Sequence, residues 1–128
     1  FLDWHEWQGT RDMSAFLTIP EAVKFMDDND WPNVSRKCRE MVIQTRNQLL
    51  NYLNISPPCP DEWLGQMASI PMPFNDAVEI KNVLLNKYHI QVPIFTWEGK
   101  VYLRYSIQAY NSESDIEKLL SAIKELLG

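Results

Sequence analysis

The sequence predicts an α+β fold of two layers, a short antiparallel sheet of about three strands with helices packed against one face. Three observations carry that prediction. Apolar residues recur at helical spacing from about Ile19 to Asp28, along Val34 to Leu53, along Ala77 to Tyr88 and along Ile116 to Leu127. Apolar and polar residues alternate with period 2 at Ile90, Val92 and Ile94, and again along Val101–Gln108. Between those two runs lies Glu98-Gly99, a turn signal that brings the second strand back along the first as a hairpin.

Taken in order, Phe1–Gln8 is aromatic without a helical repeat and reads as extended or irregular, and Gly9-Thr10-Arg11-Asp12 follows as a turn. Trp4 and Trp7 need a surface to cover, either on this domain or on a partner. Asp12 or Ser14 can cap a short helical segment. Thr18-Ile19-Pro20-Glu21 has the form of a capping box with proline in the first turn, so a helix runs from about Ile19 to Asp28 with Ala22, Val23, Phe25 and Met26 facing inward. Asp30 caps the longest helix, which has Pro32 in its first turn and a stripe through Val34, Cys38, Met41, Val42, Thr45, Leu49, Tyr52 and Leu53. Arg36, Lys37, Arg39, Glu40, Arg46 and Asn47 lie between these positions and read as its solvated face.

Asn54–Gln66 contains Pro57, Pro58 and Pro60 and is a loop. Met67–Pro73 is a short strand that Pro71 places at an edge or a bulge. Asn75 or Asp76 caps a helix that presents Ala77, Ile80, Val83, Leu84 and Tyr88 on one side. After the hairpin, Ser112 or Ser114 starts the last helix; Ile116, Leu119, Leu120, Ile123 and Leu127 form its stripe, and Gly128 ends it. The methionines near turns and strand ends, Met13, Met67 and Met72, suit either gap-filling in the core or the wall of a pocket.

At 128 residues the chain is sized for one domain with a core, and residues 1–12 read as a segment leading into it. A net charge of −5 and a pI near 4.9 argue against nucleic acid or an anionic membrane as partner. Cys38 and Cys59 have no CxxC context and no histidine at ligand spacing, so neither a zinc site nor a disulfide framework is indicated, and a cytoplasmic setting fits. The N-terminus lacks the features of a signal peptide and also an initiator methionine, as though the chain were cut from something longer.

Motifs for a serine hydrolase, a zinc protease, a phosphate loop or a dinucleotide fold are missing, and four glycines exclude a glycine-rich phosphate loop. Asp27-Asp28 and Asp61-Glu62 suit capping or solubility better than paired acid-base work. Two weak signals survive. Gly9 and Thr10 offer backbone amides and a hydroxyl at a turn before a helix, able to hold an anion such as phosphate. Arg104 falls with Tyr102, Ser106 and Gln108 on the polar face of a strand whose other face carries Val101, Leu103, Tyr105 and Ile107. Its planar fork can grip a carboxylate at two points, although a strand arginine is also commonly solvated or ion-paired.

Glu6-Trp7-Gln8-Gly9-Thr10-Arg11-Asp12-Met13-Ser14-Ala15-Phe16-Leu17, followed by Ile19-Pro20-Glu21-Ala22-Val23-Lys24-Phe25, resembles the W-x-GTRD-x-SAYL-x-IPAAIEF segment of class V aminotransferase-fold enzymes, in particular the isopenicillin N epimerase-like group. Arg104-Tyr105-Ser106 through Tyr110-Asn111, then Asp115-Ile116, is similar to that group's closing R-x-S-x-x-x-YN-x-x-x-D-I/Y pattern. Gly65-Gln66-Met67-Ala68-Ser69-Ile70 and Ile90-Gln91-Val92-Pro93-Ile94 resemble two of its strands between these ends.

The resemblance implies the small C-terminal domain of a fold-type I enzyme that uses pyridoxal 5′-phosphate and works as a homodimer. Gly9 and Thr10 would reach the cofactor phosphate of the partner subunit, and Arg104 would hold the α-carboxylate of an amino-acid substrate. The cofactor-bearing lysine, the acidic partner of the pyridine nitrogen and the stacking aromatic lie upstream in the family. Lys24, Lys37, Lys81, Lys87, Lys100, Lys118 and Lys124 have none of that lysine's context, so the resemblance implies a missing large cofactor domain and a fragment without catalysis of its own. The related cysteine desulfurases carry a reactive cysteine where this chain has Val92-Pro93-Ile94-Phe95, which disfavours desulfurase chemistry and leaves epimerisation, transamination and C–S lysis open. The alternative is a stand-alone, non-catalytic binding or interaction module of the same fold.

Overall fold

The computed structural model describes Trp4, His5 and residues 9–128. The chain divides into two compact units, Phe1–Pro32 and Asn33–Gly128.

In the first unit, Trp4 and His5 are helical rather than extended, and Trp4 is exposed; Trp7 lies outside the described residues. Helices α1 (Ser14–Leu17) and α2 (Ile19–Asp28) follow. The expected bounds of α2 hold, but the expected capping box does not form: the Thr18 hydroxyl donates back to the Ala15 carbonyl at 2.8 Å and caps no α2 amide. α1 leaves Thr18 in a helical conformation (φ −84°, ψ −9°), whereas capping side chains usually work from an extended backbone. The stripe expected to face inward is exposed, Val23 at 52% and Phe25 at 66%. The four-residue α1 is too short to cover it.

The second unit is the predicted α+β sandwich. Its elements are α3 (Trp31–Leu53, entering from the first unit), a short 3₁₀ turn (Asp61–Trp63), β1 (Met67–Met72), α4 (Ala77–Tyr88), β2 (Ile94–Trp97), β3 (Lys100–Ser106) and α5 (Glu113–Leu127). The sheet order is β1-β3-β2, antiparallel throughout, so the last strand in sequence is the central one. β1 is an edge, as Pro71 requires. Val101, Leu103, Tyr105 and Ile107 are buried with Ala68, Ile70 and Met72 against Val42 and Leu49 of α3, Leu84 of α4 and Leu119 and Ile123 of α5.

Helix ends follow local chemistry. Asp76 accepts from the amides of Val78 and Glu79 at 2.8 and 3.0 Å, and Ser112 and Asp115 form a capping box on α5. The hydrogen bonds from the Ser112 amide and hydroxyl hold the Asp115 carboxyl below its usual range. Asp30 sits at φ +49° ahead of α3, a left-handed backbone and not the extended one of an N-cap. β2 starts at Ile94, later than the alternation at Ile90 and Val92 suggests. Pro93 has no N–H to continue the ladder, although its carbonyl still accepts from the Arg104 amide at 2.9 Å.

Glu98 and Gly99 both have positive φ, +47° and +73°, the mark of a type I′ hairpin turn. Glycine adopts this backbone freely, whereas a glutamate there is strained. Glu98→Asn should therefore stabilise the chain by roughly 0.5–1 kcal/mol, measured as a higher urea midpoint at unchanged m-value.

Candidate functional site

The period-2 alternation of β3 is realised residue by residue. Lys100, Arg104 and Ser106 are exposed and Tyr102 half-buried on the outer face, while the residues between them are buried. Arg104 stands near the middle of the central strand, directly opposite Ser69 of β1. Among the described residues its guanidinium makes no hydrogen bond or ion pair, so all its donors are available. Tyr102 stacks on Phe95 of β2, with ring centroids 5.7 Å apart and planes 15° from parallel. The sheet therefore presents an unpaired cation beside a fixed aromatic ring.

The strand carrying Arg104 is anchored from behind. Tyr105, its neighbour on the inner face, donates from Oη to the Val42 carbonyl of α3 at 2.7 Å. Burial pushes that phenol well above its ordinary range and keeps it a neutral donor. Past the strand, the Ile107 amide donates to the Gln66 carbonyl at 2.9 Å, and Gln66 Nε2 donates to the Ile107 carbonyl at 2.9 Å and to Gln108 Oε1 at 3.1 Å. Asn111 Oδ1 accepts from the Gln108 amide at 2.9 Å, closing the turn into α5. Asn111 of the closing motif thus shapes the backbone, whereas Tyr110 is 84% exposed.

Gly9 and Thr10 belong to the first unit and Arg104 to the second. Gly9 has φ +65°, and among the described residues no atom beyond its chain neighbours lies within 4 Å of where a Cβ would stand. Thr10 is exposed, and its hydroxyl has no hydrogen-bond partner among the described residues. An anion can therefore approach the Gly9 backbone and the Thr10 hydroxyl together. The following helix adds little: α1 has four residues, and Asp12 already accepts from the Ser14 amide at 2.9 Å, which holds its carboxyl below the usual range. Arg11 lies with its guanidinium carbon 4.8 Å from the centre of the Phe16 ring.

Sequence reasoning assigned Arg39 and Arg46 to a solvated face, and the structure corrects this. Arg46 is 2% exposed and donates to the Cys59 carbonyl at 2.9 Å and to the Asp61 carboxylate. Arg39, half-buried, donates to the carbonyls of Leu64 and Asp61 at 2.9 and 2.8 Å. Together they pin the 54–66 loop to α3 and so fix the approach to β1. One signal was legible: Arg46 lies four residues after Val42 and three before Leu49, which is the inward face of the helix. Asp61, read as a solubility feature, is its counter-ion. Arg36 does behave as expected, in an exposed pair with Glu40.

Cys38 and Cys59 are free thiols. No group of three or more His, Cys, Asp or Glu side chains able to hold a metal occurs among the described residues, and no described helix is long and apolar enough to cross a membrane.

No family model matches the chain. Over 94% of its length it is 30% identical to an isopenicillin N epimerase of Amycolatopsis lactamdurans, covering 31% of that protein. It is 26% identical, again over 94% of its length, to a probable chloroplastic L-cysteine desulfhydrase of Arabidopsis thaliana, covering 29% of it. The chain thus spans about a third of the relatives it matches, in their C-terminal part. In fold it is similar to an 8-amino-7-oxononanoate synthase of Francisella tularensis, with a TM-score of 0.57 over 73% of this chain and 27% of that one at 21% identity.

Because Asp61 is 46% exposed and Arg46 is buried, removing the carboxylate strands a buried charge that solvent reaches only in part. Asp61→Ala should cost about 2–3 kcal/mol, and the double variant Arg46→Met/Asp61→Leu should recover most of it, both read by chemical denaturation.

Proposed function

We propose that this chain, whose homologues are class V pyridoxal-phosphate enzymes, is the C-terminal, substrate-side domain of such an enzyme acting on an amino acid. The observation that carries this reading is Arg104, a guanidinium unpaired among the described residues and held on the central strand of the sheet. Leaving a cation without a protein partner on a well-anchored strand is useful when an external carboxylate completes it. The fork then binds both carboxylate oxygens and fixes the orientation of the substrate Cα.

Gly9 and Thr10 would hold the cofactor phosphate, contributed across the boundary of a homodimer; their open turn fits one such anion. Pyridoxal phosphate, when bound, supplies an electron sink for chemistry at the amino-acid Cα. The lysine that carries it would come from a large cofactor domain outside this sequence. The lysines present are surface residues such as Lys87, whose Nζ lies 2.7 Å from Glu125. The chain by itself is accordingly a binding half-site without catalysis. Epimerisation and C–S lysis follow the names of its relatives, with transamination the third reaction of this class. Its free thiols accord with a cytoplasmic setting.

In the full-length protein, Arg104→Ala should raise KM for the amino acid about 10- to 100-fold, corresponding to ~1.5–3 kcal/mol for a lost charged hydrogen bond, with cofactor loading intact. Thr10→Ala should instead weaken cofactor retention. Loss of both properties together in the Arg104 variant would contradict the assignment. The purified 128-residue chain mixed with pyridoxal phosphate should show only the absorbance of free cofactor; a new band that survives dialysis would show a carrier lysine within it.

A further inference from the structure

A cavity of about 310 Å³ lies along β1 between the strand and the 54–66 loop, walled by Pro58, Leu64, Met67, Ser69 and Tyr102. Ser69 and Tyr102 both neighbour Arg104 on the outer face. Ser69 is its cross-strand partner, and Tyr102 precedes it by two positions. Directly opposed side chains in an antiparallel pair have Cβ atoms roughly 4.5–5.5 Å apart, and positions i and i+2 on one strand are separated by roughly 6.5–7 Å. A carboxylate gripped by Arg104 therefore lies within one side-chain length of the cavity.

The chemistry of the walls selects what enters. Pro58, Leu64, Met67 and the Tyr102 ring are apolar surfaces, and the stack on Phe95 holds the ring in place, so little ordering is required on binding. Arg46 also borders the cavity, but it is buried and already paired with Asp61. An acidic side chain would lose its hydration and find a guanidinium whose charge Asp61 already offsets, with only its buried Nε–H lacking a partner among the described residues. The volume sits at the low end of ligand pockets, about 300–1,000 Å³, with room for any one amino-acid side chain.

We infer that this cavity is the side-chain subsite next to Arg104, and that it selects an amino acid with an uncharged, apolar side chain. Met67 and Tyr102 are its specificity-determining residues. The inference rests on the reading of Arg104 as the carboxylate holder.

The test is an NMR-monitored titration of the chain with glycine, leucine, methionine and aspartate. Leucine and methionine should bind at least tenfold more tightly than glycine or aspartate. Met67→Trp, at an exposed position on the edge strand, should narrow the cavity and bring leucine and methionine toward the affinity of glycine. Met67→Phe, a smaller filler, should give a partial loss and keeps the test decisive if the tryptophan variant does not fold. Arg104→Gln should weaken all four ligands alike. Equal affinities for the four, still lowered by Arg104→Gln, would overturn the subsite and leave the carboxylate reading standing. Tighter binding of aspartate would also overturn it. No binding, or binding indifferent to Arg104→Gln, would overturn both.

Discussion

The second unit depends on the pleat of β3. Both other strands bond to it, and its alternate side chains build opposite faces. A slip of one residue would turn Arg104 into the core and Leu103 out to solvent, so the register is held by the full cost of burying a charge. Tyr105 adds a directional constraint, since its hydroxyl finds the Val42 carbonyl only in this register. Arg104 is thereby positioned by residues that never touch it. Its exposure, and its lack of a partner among the described residues, are the far side of a well-packed strand.

The second constraint is the pair of α3 arginines. A proline-rich loop such as 54–66 makes few backbone bonds of its own, and its carbonyls need donors. Arg39 and Arg46 supply them at Cys59, Asp61 and Leu64. The cost is a buried guanidinium whose Nε has no partner among the described residues, offset by the Asp61 carboxylate. What results is a loop fixed beside β1, and with it the cavity next to Arg104. A loop held only by its prolines would leave that wall undefined.

The two proposed binding elements differ in physical character. Arg104 is a localised charge on a central strand, suited to orienting a substrate. Gly9 and Thr10 form an open turn whose anion affinity comes from a hydroxyl and an accessible backbone. The first unit also leaves an apolar stripe on α2 exposed, Phe25 and Val23 included. That stripe has the spacing of a buried helix face, which is why the sequence alone suggested it pointed inward.

By itself the sequence determined what depends on near neighbours along the chain. The α2 and α4 bounds, the Asp76 cap, the hairpin turn and the two faces of β3 follow from spacing and residue type within a few positions. The end motifs also carried the resemblance that the relatives bear out. Tertiary structure alone decided the rest. Whether Arg46 is solvated or buried depends on Asp61, fifteen positions away across a loop, and whether the Thr18 box forms depends on how α1 leads into α2. Whether Arg104 keeps its donors free depends on what stands around it in space. Periodicity says which face a residue lies on, but only packing says what that face meets.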